Sequence, residues 1–351
     1  MPSPHIEIAG RKIGPAHPPY VIAELSANHL GEFSRALETL EMAARQGADA
    51  VKLQTYSPDT ITIDHDGPGF RIEGGLWNGR TLYDLYREAA MPWAWHAPLM
   101  ARGRELGIHV FSSPFDSTAI ALLASLDAPA YKIASFEAID HPLIREAAAL
   151  GKPLIVSTGM ATLAEIEEAH LAATGGGADG VALLHCISGY PTPVGEANLR
   201  TIPDLARRFP GTVIGLSDHT LGTVVSVTAI ALGASIIEKH VTLARADGGP
   251  DSAFSLEPGE LGLLVRDCRS AWEALGTARY DLKGSEAGNV TFRRSLYVVA
   301  DIAAGEPLSR TNIRSIRPGF GLAPKHLPEV LGRRAARALR RGEPLDESML
   351  A

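Results

Sequence analysis

The chain has 351 residues, 45% of them hydrophobic and 21% charged, and a formal net charge of −7 at pH 7. That length excludes a peptide-like scaffold, the apolar content excludes disorder as the main state, and the negative charge argues against non-specific nucleic-acid binding. Only Cys186 and Cys268 occur, without metal-type spacing, which excludes a disulfide framework and suits a reducing compartment.

The N-terminal stretch MPSPHIEIAGRKIG lacks the charged start and apolar core of an export signal, and no apolar run approaches the roughly 18 residues that read as a membrane span. A cytoplasmic protein without membrane attachment is expected. Short β-branched runs ending in polar residues follow in order: YVIAELS, AVKLQT, HVFSSPF, AYKIAS, PLIVSTG, VALLHCIS, TVIGLSD and ASIIEKHV. Between them lie helical patterns such as FSRALETLEMAARQG, APLMARGRELG, HPLIREAAALG, LAEIEEAHLAA and VVSVTAIALG, several closing on a glycine. Continuous apolar strands alternating with helices predict a parallel sheet covered on both faces. Eight such units predict a closed (β/α)8 barrel. An open doubly wound sheet is the alternative, but ELSANHLGE after the first strand has no glycine-rich dinucleotide turn.

Between the second and third strands the chain inserts residues 57–96, far longer than an ordinary βα loop and rich in aromatics, among them Trp77, Tyr83, Tyr86, Trp93 and Trp95. Long loops at this end of a barrel serve substrates, although Leu82, Tyr83, Leu85 and Tyr86 also fit the apolar stripe of a helix. The barrel is expected over residues 1–278, a polar linker over 279–289, and a small unit of short strands, Gly/Pro turns and one basic helix over 290–351. That last segment carries 11 basic and 6 acidic residues, net +5, which leaves −12 for the rest of the chain. A solvated surface explains this, and so does a cap that docks on an acidic body.

Catalytic groups in a parallel barrel sit at the C-terminal ends of the strands. Here those ends offer Glu24 and Asn28; Lys52 and Gln54; Ser112 and Ser113; Lys132, Ser135 and Glu137; Ser157 and Thr158; His185 and Ser188; Ser217, Asp218 and His219; and Glu238 and His240. A single such serine is more often a cap or turn residue, but two lysines and several hydroxyls converging on one mouth make a pocket for a doubly charged oxyanion such as a phosphate. A lone histidine is more often structural. His219 and His240 end neighbouring strands, however, and could share one divalent ion; imidazoles with oxygen ligands suit Mn, Fe, Co or Zn better than Mg. His185 is a weaker candidate, and Cys186 reads as a small buried apolar residue.

The strings IAELSANH, VKLQTY, FSSPFD, AYKIAS, STGMA, HCISGYPTP, GLSDHT and EKHVTL, with RPGFGL in the tail, closely resemble the sialic acid synthase family over nearly the whole chain. Within it, GGLWNGRTLYDLYREAAMPWAW and GGPDSAFSLEP resemble the pseudaminic acid synthase branch rather than the N-acetylneuraminate branch. The resemblance implies a (β/α)8 TIM barrel and a small C-terminal antifreeze-like (SAF) domain, swapped across a homodimer so that each tail covers its partner's site. It implies condensation of phosphoenolpyruvate with an acetamido aldehyde sugar and release of phosphate by C–O cleavage. A legionaminic acid or N-acetylneuraminate synthase acting on a different aldehyde is the near alternative.

By matching motif, the catalytic set would be Glu24, Lys132, His219 and His240. Lys52, Ser113, Lys132, Ser135, Ser157 and Ser217 would bind phosphoenolpyruvate, and His219 and His240 would hold a divalent metal, manganese or magnesium. Glu24 would activate water. Gln54, Glu137, Tyr190 and Asp251 would touch the sugar, and the partner subunit's Arg317 would reach its N-acetyl group. The chain departs from the N-acetylneuraminate pattern at Ser188, in place of Asn, and at Phe136, in place of Gly; the bulkier apolar residue would suit a 6-deoxy sugar. Two other readings are a pyruvate aldolase using Lys132 as a Schiff base, and a sugar- or ice-binding module whose tail is the active part.

Overall fold

The computed structural model describes residues 3–351 and divides into two compact units, one ending at Gly276 and the other spanning Thr277–Ala351. The first unit opens with a hairpin, β1 (Ile6–Ile8) and β2 (Arg11–Ile13), joined by Ala9 and Gly10, both at positive φ. That pair of conformations gives the tight turn whose twist matches two antiparallel strands. The alternation visible in IEI buries Ile6 and Ile8 and leaves Glu7 exposed.

The barrel follows as β3 (Tyr20–Glu24), α1 (Phe33–Arg45), β4 (Ala50–Thr55), α2 (Pro58–Ile61), α3 (Leu82–Ala89), α4 (His96–Leu106), β5 (His109–Pro114), α5 (Ser117–Ser125), β6 (Tyr131–Ile133), α6 (His141–Ala148), β7 (Leu154–Ser157), α7 (Leu163–Gly176), β8 (Val181–Cys186), α8 (Thr201–Arg208), β9 (Val213–Asp218), α9 (Val224–Ala231), β10 (Ile236–His240) and α10 (Pro258–Leu275). Strands β3 to β10 run parallel in chain order, and β10 pairs with β3 to close the ring. All eight strands read from the sequence are present. Helices α5 and α8 complete the expected alternation: α5 is apolar around most of its circumference, and its start is marked by Asp116, which accepts from the backbone of Thr118 and Ala119.

Because side chains alternate across a strand, the barrel has two apolar layers. Val21, Val51, Val110, Leu183, Ile214, Leu216 and Ile237 face the helices. Tyr20, Ile22, Ala50, Phe111, Ala130, Ile155, Leu184, Val213 and Ile236 face inward and pack with Ile6, Ile8 and Ile13, so the hairpin closes the N-terminal end of the interior. Among the described residues no helix is long and apolar enough to cross a membrane.

In the second unit, residues 279–283 are largely exposed coil and the chain then winds as a 3-10 helix over Gly284–Phe292. Strands β11 (Ser295–Val298) and β12 (Ile313–Ile316) pair antiparallel over a core of Leu296, Val298, Ile302, Leu308, Ile313 and Leu339. The basic helix expected here is replaced by one four-residue turn, α11 (Leu327–Val330). The Ala- and Arg-rich run after it is extended: Ala335 donates to the carbonyl of Glu306, Leu339 exchanges bonds with Ile302, and Ala335 bridges to Leu350. Gly332 at φ +86° breaks the helix, and burial of Ala335 and Leu339 against these segments outweighs helix propensity.

Candidate active site

Seven of the eight inward-facing rows end in polar residues above the apolar floor: Glu24 above Ile22, Lys52 above Ala50, Ser113 above Phe111, Lys132 above Ala130, Ser157 above Ile155, Ser217 two residues on from Gly215, and Glu238 and His240 above Ile236, whereas the row of β8 ends in Cys186 above Leu184. The eight polar side chains are all buried. Lys52 Nζ lies 2.9 Å from Glu24 Oε2 and 3.5 Å from Glu238 Oε1, and donates to Ser113 Oγ at 3.2 Å. Lys132 Nζ donates to Ser157 Oγ at 2.7 Å and stands 3.7 Å from the same Glu238 oxygen, which also accepts from Ser217 Oγ at 3.2 Å. Two ammonium groups, two carboxylates and three hydroxyls therefore share one desolvated space.

The environment separates the two carboxyls. Burial raises Glu24 above the usual carboxylate range, with Lys52 opposing and Glu238 reinforcing. Glu238 also pays for burial, but Lys132 and Lys52 together hold it below that range. Burial works against the charge on Lys52, yet Glu238 and Glu24 hold its ammonium above the ordinary lysine range; Lys132 is lowered by burial despite Glu238. Pairs of titrating groups pushed apart in this way mark acid–base sites.

Glu24 is oriented by Gln54, whose Nε2 donates to Glu24 Oε1 at 2.9 Å and to Ser26 Oγ at 3.1 Å; Ser26 in turn donates to Asp251 Oδ2. Gln54 and Asp251, both expected at the sugar, thus belong to one chain of bonds running back to Glu24. Ser135 Oγ accepts from the backbone of Gly159 at 3.1 Å. Glu137, in the turn after β6, is pushed up to about 7 by burial, and its Oε2 is buried without a partner.

The rings of His219 and His240 lie 5.3 Å apart. Tyr190 packs 4.5 Å from His219, and Phe254 packs 5.0 Å from His240. The long insert reaches this cluster through Trp77, which stacks 5.7 Å from Tyr190 and donates Nε1 to the carbonyl of Pro250 at 3.0 Å. His219 Nδ1 faces the Ile187 carbonyl at 3.1 Å, which places the proton there and leaves Nε2 free. His240 Nδ1 is buried with no partner, and burial together with His219 keeps this ring well below its ordinary range, in the neutral form that ligates metals. Among the described residues no three His, Cys, Asp or Glu side chains stand together to enclose an ion. The pair therefore fits a cation that takes two imidazole nitrogens and draws its other ligands from water and substrate oxygens.

Not every strand-end residue points inward. Ser112 bonds Thr55, Thr158 bonds the Leu184 carbonyl, His185 bonds the Ala197 carbonyl and Asp218 bonds Lys239, all on the helix side or within the loops. Cys186 is buried and free, with Sγ 3.9 Å from His219 Nδ1. Glu238 appears in the sequence only as one strand-end residue among many, although it sits two residues before His240 and so on the same face. Arg317 is an exposed residue of the second unit.

Comparison with known proteins agrees with this architecture. The NeuB family model matches residues 39–280 and the SAF domain model residues 293–351. The chain is 43% identical over 329 residues to a pseudaminic acid synthase of Campylobacter jejuni, covering 94% of this chain and 96% of that protein. It is 35% identical over 331 residues to an N,N'-diacetyllegionaminic acid synthase of the same species, covering 93% and 98%. A crystal structure of the N-acetylneuraminic acid synthetase of Leptospira borgpetersenii in complex with citrate superposes with a TM-score of 0.73 at 32% identity, over 82% of this chain and 95% of that one. The inward lysines, glutamates and paired histidines thus sit in a TIM barrel whose relatives make nonulosonic acids, and the chain belongs to the NeuB family.

Proposed function

We propose that the protein joins phosphoenolpyruvate to the open-chain form of 2,4-diacetamido-2,4,6-trideoxy-L-altrose, giving pseudaminic acid and inorganic phosphate. The observation that carries this reading is the pair of buried ammonium groups, Lys52 and Lys132, converging with Ser113, Ser157 and Ser217 on one side of the two imidazoles. Such a site is built to take a substrate with a phosphate and a carboxylate away from water. Higher identity to the pseudaminic acid synthase than to the legionaminic acid synthase supports the choice of sugar.

In this mechanism Lys52, Lys132 and the serines hold the phosphate and carboxylate of phosphoenolpyruvate, and the anion takes over part of the pairing that Glu24 and Glu238 provide without it. A divalent ion on His219 and His240, manganese or magnesium, would polarise the aldehyde oxygen. The enol carbon C3 forms a bond to the aldehyde carbon, whose oxygen takes up a proton, and the positive charge that develops at C2 lies beside the buried carboxylates. Glu24 accepts a proton from the water that adds to C2. The bond from C2 to the bridging oxygen then breaks, phosphate leaves with that oxygen and with the proton of the C2 hydroxyl, and C2 becomes the ketone; of water's two protons, one balances that taken up by the aldehyde oxygen and one departs on phosphate. Tyr190 and Asp251 border the aldehyde side.

We further propose a homodimer in which the SAF domain of one copy covers the barrel of the other and the partner subunit's Arg317 meets an acetamido group. Six apolar side chains, Phe136, Ile139, Met160, Val194 and Leu221 on four successive βα loops and Val224 at the first residue of α9, range from 59% exposed at Leu221 to 74% at Val224, which suits a face covered by another chain. Co-expressing Glu24→Gln and Arg317→Ala chains tests the swap. One of the two sites in a mixed dimer would regain both native residues, and phosphate release no higher than in the separate homodimers would refute it.

The deciding experiment for the activity measures phosphate release from phosphoenolpyruvate with a panel of acetamido aldehydes. The altrose derivative should give the highest kcat/KM, and heavy oxygen placed in the bridging ester position should appear in the phosphate. Preference for the legionaminic or N-acetylneuraminate precursor would move the protein to another branch. Label retained in the sugar acid would overturn the mechanism.

A further inference from the structure

On the helix-facing side of the barrel, where Thr55, Ser112, Thr158 and His185 supply buried polar groups without a formal charge pair, an ion pair lies directly behind the two imidazoles. Along β9 the outward row reads Ile214, Leu216, Asp218, and along β10 it reads Ile237, Lys239, Val241. Asp218 and Lys239 are cross-strand partners in the ladder, and their side chains are each 1% exposed. Lys239 Nζ donates to Asp218 Oδ2 at 2.8 Å and to the Thr220 carbonyl at 2.5 Å. The same carboxylate oxygen accepts from Ser226 Oγ of α9 at 2.5 Å, while Oδ1 accepts from the backbone nitrogen of Thr220 at 2.8 Å and from its hydroxyl at 2.7 Å.

Burying two charges in the layer between strand and helix carries a heavy desolvation cost for each ion, and apolar residues of similar volume commonly serve stability as well or better. Packing alone does not account for the pair. Its position does: Asp218 immediately precedes His219, Lys239 immediately precedes His240, and the bonds to Thr220 and Ser226 tie the turn after His219 and the start of α9 to both strand ends. We propose that Asp218 and Lys239 are positioning residues, a clamp that fixes the spacing of His219 and His240 and thereby sets the affinity of the site for a divalent cation. The inference rests on the metal reading of those histidines. It differs from the hydrogen bond of His219 to the Ile187 carbonyl, which orients one ring; the clamp sets the distance between two.

The test uses the full-length, metal-stripped protein and titrates it with Mn2+ alone, following binding by water-proton relaxation. The Asp218→Leu/Lys239→Met double variant removes both charges together, so that no lone ion is left buried. It should keep its circular dichroism spectrum and a melting temperature close to or above the wild type, while binding Mn2+ about 10- to 100-fold more weakly, the loss that accompanies removal of residues supporting metal ligands. Its KM for phosphoenolpyruvate, set by Lys52 and Lys132, should stay within about twofold, a split that general loosening of the barrel would not give. A folded double variant with wild-type Mn2+ affinity would overturn the clamp. Should that variant fail to fold, Ser226→Ala, which removes one bond to Asp218 and leaves the ion pair, decides: several-fold weaker Mn2+ binding supports the proposal and unchanged binding overturns it. Wild-type protein that takes up no Mn2+ would instead refute the metal reading itself, and the clamp with it.

Discussion

Glu24 on β3 stands directly across the ladder from Lys52 on β4, and their charged ends meet at 2.9 Å in a space closed to solvent. Burial pulls the carboxyl toward its protonated form, and Lys52 favours the ionised one. The balance lies near neutrality, with Glu24 pushed up to about 7.

Glu24→Gln should therefore lower kcat by about 10²- to 10⁴-fold with little change in KM for phosphoenolpyruvate, because the amide keeps the shape and loses the base. A base works in its ionised form, so wild-type activity should be full above the raised pKa and fall as pH drops through it, well above the point where an ordinary glutamate would titrate. The residual rate of the variant should lack that acidic limb. A pH–rate profile of both proteins checks this; a limb that survives in Glu24→Gln would assign the base elsewhere.

Lys132 Nζ donates to Ser157 Oγ at 2.7 Å and to the Ile133 carbonyl at 3.2 Å, and Glu238 Oε1 stands 3.7 Å away as its ion-pair partner. Although burial lowers its pKa, a lysine so engaged serves as a cation rather than an amine nucleophile. Borohydride treatment with pyruvate should leave the mass of the protein unchanged, and Lys132→Met should abolish binding of phosphoenolpyruvate in calorimetry. A trapped adduct would favour an aldolase.

A Cβ placed on Gly159 would fall 2.3 Å from Ser188 Oγ and 2.8 Å from Ser135 Oγ. The absence of a side chain here lets three βα loops converge at one point of the rim. Gly159→Ala should displace both hydroxyls and raise KM for phosphoenolpyruvate about 10-fold through misplaced contacts, with the melting temperature little altered, since hydroxyls at a rim can rotate away. Unchanged kinetics would remove Ser135 from the anion site.

Phe136 sits 60% exposed between Ser135 and Glu137 in the turn after β6. If its ring faces the methyl end of a 6-deoxy sugar, Phe136→Gly should shift the ratio of kcat/KM for 6-deoxy over 6-hydroxy aldehydes toward the hydroxylated sugar by about tenfold, the scale of a small apolar contact. A ratio that does not move would separate Phe136 from sugar choice.

The strands and their polar ends could be read from the chain because a barrel strand buried on both faces leaves an unbroken apolar run, and its first polar residues announce the rim. What such a run does not announce is which face each residue takes. Ser112 beside Ser113, or Asp218 beside His219, looks equivalent until the register is known, and the register also brings Glu238 between the two lysines. Gln54 carried no sign that its amide would be spent on Glu24 and Ser26, since that depends on a loop more than 190 residues away at Asp251, which holds the far end of the chain of bonds. The run RRAARALRR misleads for a different reason: its composition favours a helix, and only pairing with distant segments makes it extended.

The small hairpin of Ile6, Ile8 and Ile13 plugs the bottom of the barrel, so the reaction chamber is a well with one opening. On the proposed reaction, phosphoenolpyruvate, the sugar and the departing phosphate would all have to share the approach past the C-terminal ends of the strands.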